Sequence, residues 1–126
     1  MIGGVTKVVI EVEDQERAKA FWTGTLGFEV AQDVPYGEER WLEVRTPDEA
    51  TVIVLGLRSG PRPTAPDPSL PTSNVFFYAD DLQQAYEELR ARGVEFPVAP
   101  VEQPFGWWSV FQAPDGNRFA LVPYGQ

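Results

Sequence analysis

Residues 74–89 read NVFFYADDLQQAYEEL, and residues 7–22 read KVVIEVEDQERAKAFW. Each is a short apolar run, then acids, then an amphipathic helical pattern. With Val8 laid on Val75 the two keep step: Val12 meets Ala79, Asp14 meets Asp81 and Ala18 meets Ala85. One residue is then lost, so that Gly27 meets Gly93 and Phe28 meets Val94. Further on, WLEVRTPDEATVIVL from Trp41 lies over WSVFQAPDGNRFALV from Trp108, matching Trp to Trp, Pro47 to Pro114 and Asp48 to Asp115. The chain therefore carries an internal repeat with a period near 67 residues, the mark of a duplicated supersecondary unit and not of a solenoid.

Each copy reads as strand, helix, then strands. Val8, Ile10 and Val12 alternate with Lys7, Val9 and Glu11, which predicts a strand with two distinct faces. Asp14 then caps a helix whose Ala18, Phe21 and Trp22 share a face, with Gly24 and Gly27 as stops. In the second copy Asp81 and Gln84 have capping-box spacing, and Leu82, Ala85, Tyr86 and Leu89 form one stripe before Gly93. Phe21, Trp22 and Tyr86 are expected in the core beneath these helices. Three β-rich runs follow each helix: FEVAQDV, WLEVRT and ATVIVLGL, then VEFPVAP, WWSVFQA and RFALVPY. PDGN at 114–117 joins the last two strands as a hairpin, and PDEA at 47–50 does the same less cleanly. Between the copies lies SGPRPTAPDPSLPTS, whose five prolines favour an extended connector. One domain over 1–126 is predicted, with module one at 1–58, a hinge at 59–73 and module two at 74–126.

Composition bounds the chemistry. At 126 residues, a domain buries about two-thirds of its unfolded surface and needs no staples. The chain has no cysteine and no histidine, which removes disulfides, thiolate nucleophiles, an imidazole base and metal sites of the ordinary nitrogen and sulfur kind. A net charge of −9 opposes binding to a phosphate backbone, which needs lysine and arginine to displace counterions; no nucleic acid is expected. No apolar run approaches the ~18 residues that would span a membrane, so no membrane partner and a cytoplasmic location are expected.

The segments DQERAKAFWTGTLGFEV, DDLQQAYEELRARGVEF and APDGNRFALV resemble the vicinal oxygen chelate superfamily, which includes glyoxalase I, extradiol dioxygenases and bleomycin-resistance proteins. The resemblance implies an α+β fold in which two βαβββ modules form a curved mixed sheet around a cleft. It also implies a homodimer, in which modules of two chains often complete paired clefts. The superfamily's enzymes hold a divalent metal with ligands near the start of each module's first strand and on each module's last strand. Here those positions are Lys7 and its mate Asn74, and Ala120 with its mate Ile53, or Val54 if the first turn carries an extra residue. Only asparagine offers an oxygen, and a lysine ammonium beside a divalent cation adds repulsion. No metal and no other cofactor are expected, and no catalytic residue is required.

The cleft implied by the resemblance is then lined by ring and chain surfaces. Lys7 brings Val9 and Glu11 to its side, Asn74 brings Phe76 and Tyr78, and Phe105, Trp107 and Trp108 fall near the cleft mouth. Adjacent tryptophans face opposite ways, so one of Trp107 and Trp108 belongs to the core. Candidate ligand contacts are Lys7, Val9, Glu11, Trp41, Glu43, Asn74, Phe76, Tyr78, Phe105, Trp107, Trp108 and Ala120. Four tryptophans suit a planar aromatic ligand, and Glu11, Glu43 and the acidic surface offer partners for a cationic group on it. The function read from this is sequestration of a bulky, partly aromatic natural product or antibiotic, as in the bleomycin-resistance branch. The alternative is a glyoxalase-like lyase, isomerase or dioxygenase-related enzyme using the same cleft, with Lys7 as base or Schiff-base amine and Glu11 or Glu43 as acid.

Overall fold

The computed structural model describes residues 1–65 and 67–126; Pro66, one of the prolines of the expected hinge, lies outside the described residues. The chain divides into two compact units, Met1–Pro61 and Arg62–Gln126, and each repeats one pattern.

In the first unit β1 (Lys7–Val12) leads to α1 (Gln15–Lys19), then β2 (Glu29–Tyr36), β3 (Glu39–Arg45) and β4 (Val52–Leu57). The sheet order is β1-β4-β3-β2, parallel only between β1 and β4. Asp14 caps α1 by accepting from the Arg17 amide at 3.0 Å. Gly24 does not stop this helix. The coil widens into π geometry over Ala20–Thr25, with Leu26 N donating to Phe21 O at 3.0 Å. The widening keeps both members of an adjacent aromatic pair inside: Phe21 and Trp22 are buried, their rings edge-on at 5.8 Å, and Trp22 also meets Phe28 at 5.4 Å. These rings, with Ala18, cover the face of the sheet formed by Ile10, Val12, Leu42, Val44, Ile53 and Leu55, all buried.

In the second unit β5 (Phe76–Ala79) leads to α2 (Leu82–Ala91), then β6 (Glu95–Gln103), β7 (Gly106–Gln112) and β8 (Arg118–Pro123), in the order β5-β8-β7-β6. Asp81 accepts from the Gln84 amide, and the Gln84 side chain runs along the helix, its Nε2 donating to Glu88 Oε1 at 3.3 Å. The helix closes in a Schellman turn: Gly93 N donates to Arg90 O and Val94 N to Leu89 O, with Gly93 at φ 91° and Val94 buried behind it. Between α2 and the sheet, Phe111 touches Phe77, Phe96 and Phe119, and Tyr86 stands edge-on to Phe96 at 4.9 Å. The PDGN segment makes the expected turn, Ala113 N donating to Asn117 O at 2.8 Å.

Part of the expected hinge is tied down. Thr72 N donates to Arg118 O, Arg118 N to Thr72 Oγ1, and Arg118 Nε to Leu70 O. Proline has no N–H, yet the residues flanking Pro71 supply the carbonyl, amide and hydroxyl that β8 uses at its start. No helix among the described residues is long and apolar enough to cross a membrane.

On the helix side of the first unit, Asp33 accepts a forked pair of bonds from Arg40, each 2.7 Å, and one from Lys19 at 2.8 Å. The Arg40 bonds, then the Lys19 bond, hold the Asp33 carboxyl well below the usual carboxylate range.

Removing the ring that this packing surrounds, by Trp22→Ala, should cost about 3–5 kcal/mol, read as a lower denaturant midpoint. Asp14→Ala and Asp81→Ala should each cost about 1 kcal/mol. A midpoint for Trp22→Ala close to that of the cap variants would contradict the buried position of the indole.

Candidate functional site

Paired residues in neighbouring strands share a face, so the register decides what each sheet presents away from its helix. In the first unit Lys7 pairs with Val52, Val9 with Val54 and Glu11 with Gly56, while Glu43 pairs with Val54 and Arg45 with Val52. Lys7, Val9, Glu11, Trp41 and Glu43 therefore lie on one face, opposite α1. On β2, Val34 pairs with Trp41 and brings Tyr36 with it, whose ring lies 6.0 Å from the indole of Trp41.

The polar centre of this face is Glu43. It is 3% exposed, and its Oε2 accepts from Lys7 Nζ at 2.5 Å and from Trp41 Nε1 at 2.8 Å. Burial opposes charge on this carboxyl. The bonds from Lys7 and Trp41, with the positive charges of Lys7 and Arg45, more than offset that and hold its pKa below the ordinary 4.5. Glu43 is thus neutralised within the chain, while the Lys7 side chain remains 42% exposed against 4% for its partner.

In the second unit Phe76 pairs with Ala120 and Tyr78 with Val122, and Ala120 pairs in turn with Val110 on β7. Trp108 stands two residues before Val110, so it shares this face, and Trp107 points to the other. Phe76 and Phe105 each meet Trp108 edge-on at 5.6 Å, yet Phe76 remains 60% and Phe105 64% exposed. Neither tryptophan is core: Trp108 is half-buried among these rings and Trp107 is exposed. Asn74 is exposed just ahead of β5, and Ala120 is fully buried beneath the rings.

Two residues here escaped the sequence reading. Tyr124 meets Tyr78 with the rings tilted and their centroids 4.6 Å apart; alternation along β8, continued past Val122, was the signal for it. Gln126 reaches back to the β6–β7 tip, its Oε1 accepting from Trp107 N at 2.7 Å and its Nε2 donating to Trp107 O at 2.6 Å. No local pattern announces such a contact. It is possible because Gly106, at φ 124°, has no side chain: a Cβ there would lie 2.4 Å from the Gln126 amide.

The residues that the resemblance assigns to metal positions do not suit a divalent cation. Lys7 and Val54 share a face in the first unit, and the register selects Val54 over Ile53, which is on the helix side. Asn74 and Ala120 hold the places in the second. Glu43, the acid nearest Lys7, already receives an ammonium. Among the described residues no group of three or more acidic, histidine or cysteine side chains is placed to hold a metal.

The sequence pattern of the Glyoxalase/Bleomycin resistance protein/Dioxygenase superfamily matches residues 4–121. The protein YetH of Bacillus subtilis (strain 168) is 34% identical over 122 residues, covering 96% of this chain and 98% of that one. A solved member of the same superfamily from Sphaerobacter thermophilus DSM 20745 superposes with a TM-score of 0.80 at 32% identity, covering 97% and 98%. TnmS3, an antibiotic binding protein from Streptomyces sp. CB03234, superposes with a TM-score of 0.79 at 34% identity, covering 97% and 96%.

Two outcomes are expected from this geometry. Gly106→Ala should release the Gln126 clamp and raise amide exchange at Trp107 and Trp108 while leaving exchange in α2 unchanged. Glu43 titrates in the folded state below its ordinary value of 4.5. Its stabilisation is therefore fully present above that pH and lost as pH falls through the lowered value. Glu43→Gln should flatten that part of the stability–pH curve, and an unchanged acid limb would show the pairing contributes nothing.

Proposed function

The chain belongs to the glyoxalase/bleomycin resistance protein/dioxygenase superfamily, and on that premise we propose that it binds a bulky, partly aromatic small molecule without a metal and holds it unaltered. The observation that carries this is the ring cluster on the face of the second sheet away from α2, in which Phe76 and Phe105 stay more than half exposed against a half-buried Trp108. Apolar surface costs roughly 25 cal/mol per Å² to expose, and a contiguous exposed patch marks an interaction site more often than a packing remainder. A planar ring laid against the exposed surfaces of Phe76 and Phe105 would add further ring pairs of the same kind. The likeness to TnmS3 at 34% identity supports an antibiotic or similar natural product as the guest.

Val54 and Ala120, aliphatic at two of the metal positions, favour binding over the superfamily's metal chemistry. The Schiff-base route has weaker support, because that chemistry needs a free amine and Lys7 is held by Glu43. We also propose a homodimer as the working form, on the superfamily resemblance; sedimentation equilibrium should give twice the 14.1 kDa chain mass.

Titrating planar aromatic antibiotics should quench tryptophan fluorescence to a stoichiometric end point, with melting temperature rising by mass action and the compound recovered at unchanged mass. Phe76→Ala and Trp108→Ala should each weaken binding by about 1 kcal/mol or more, the scale of one lost ring pair. Binding that requires added divalent metal, or a product of altered mass, would overturn the proposal.

A further inference from the structure

Resting on the aromatic-ligand proposal, we infer that the first unit selects, from among planar ligands, those that carry an anionic or strongly accepting oxygen, such as a carboxylate, phenolate or quinone-type carbonyl. Lys7 is the residue that reads it.

The accessible half of the Lys7–Glu43 pair is the donor. An ammonium has three N–H groups, and Lys7 directs one of them to Glu43 Oε2. Its side chain is 42% exposed, whereas that of Glu43 is 4% exposed, so a guest arriving on this face meets the lysine before it meets the carboxylate. The ammonium is also positioned. Glu43 is fixed from the other side by Trp41 Nε1 at 2.8 Å, so Lys7 is drawn down onto a rigid anchor and loses less rotamer freedom on binding than a lysine free in solvent. The same indole offers its ring, with Tyr36 at 6.0 Å, and Val9 stands beside Lys7 on the same face, 63% exposed. Ring surface and oriented donor are thus adjacent within one sheet. A cationic guest would meet the Lys7 charge first; of the carboxylates on this face, Glu43 is engaged by Lys7, and Glu11 stands four residues along β1 from Lys7.

Three ligands with one ring system separate the possibilities: 2-naphthoate, 2-naphthylmethanol and 2-naphthylmethylammonium, each titrated calorimetrically into the wild-type chain at pH 7. The carboxylate should bind at least about tenfold more tightly than the ammonium, as expected for one charge-assisted hydrogen bond, with the alcohol between them. Lys7→Met alone would strand a buried carboxylate, so the test variant is Lys7→Met with Glu43→Gln, in which the glutamine carbonyl still accepts from Trp41. That double variant should lose the ranking of carboxylate over alcohol over ammonium, whereas Lys7→Arg alone should keep most of it. Equal or tighter binding of the ammonium, or a carboxylate preference that survives the double variant, overturns the inference while leaving ring binding intact. Failure of all three probes to bind overturns ring binding as well.

Discussion

Parallel pairing of the first and last strands of each unit, β1 with β4 and β5 with β8, is the constraint on which the remainder depends. Side chains alternate along a strand, so a slip of one residue would send every inward group outward. Ile10, Val12, Ile53 and Leu55 share a face because of this pairing, and α1 has an apolar floor to cover. Lys7, Val9, Glu11 and Val54 share the other face for the same reason. The helix caps and turns set where the elements begin and end; the register sets what each sheet shows.

Most of that architecture was legible in the residues because its signals are local. Asp14 and Asp81 accept from amides three residues on, and a cap of that kind is written in the sequence. Alternation in KVVIEV needs no partner to be read. The choice between Ile53 and Val54 was not legible, because it turns on a residue count inside an irregular loop. The β3–β4 connection runs from the pair Arg45–Val52, leaving residues 46–51 between them, six in all. The β7–β8 connection runs from Gln112–Arg118, leaving 113–117, five in all. The extra residue, accommodated around Glu49 at φ 62°, moves the mate of Ala120 from Ile53 to Val54. The π widening after α1 and the Gln126 clamp were illegible for a related cause: each depends on packing or a distant partner, not on pattern.

The duplication also shows which features the fold itself requires. At equivalent places of the repeat Trp41 corresponds to Trp108, Glu43 to Val110, Lys7 to Asn74, Val9 to Phe76 and Glu11 to Tyr78. Beneath each helix the buried strand residues are aromatic or aliphatic in both units, Ser109 excepted. The opposite side has diverged, toward an ion pair with one indole in the first unit and toward clustered rings in the second. Packing against a helix leaves little freedom, since a lost methylene is felt throughout a close-packed interior. A face that packs against no helix can be rewritten at small cost to stability.

That comparison bears on why Glu43 is there at all. Burying a carboxylate and holding an ammonium to it is, as a stabilising device, often no better than a well-packed aliphatic residue of similar volume. The second unit supplies that alternative at the equivalent position: Val110 is fully buried, pairs with Ala120, and its sheet closes without any charge there. The same scaffold therefore folds without the ion pair, and the pair in the first unit is not explained by the need to complete a sheet. What it does accomplish is local. It fixes the tip of a long, flexible side chain beside an indole on the side of the sheet away from the helix, in a chain of net charge −9 where an unanchored cation would have many other acids to visit. Orientation of a donor, and not stability, is the property that distinguishes Lys7 and Glu43 from Asn74 and Val110.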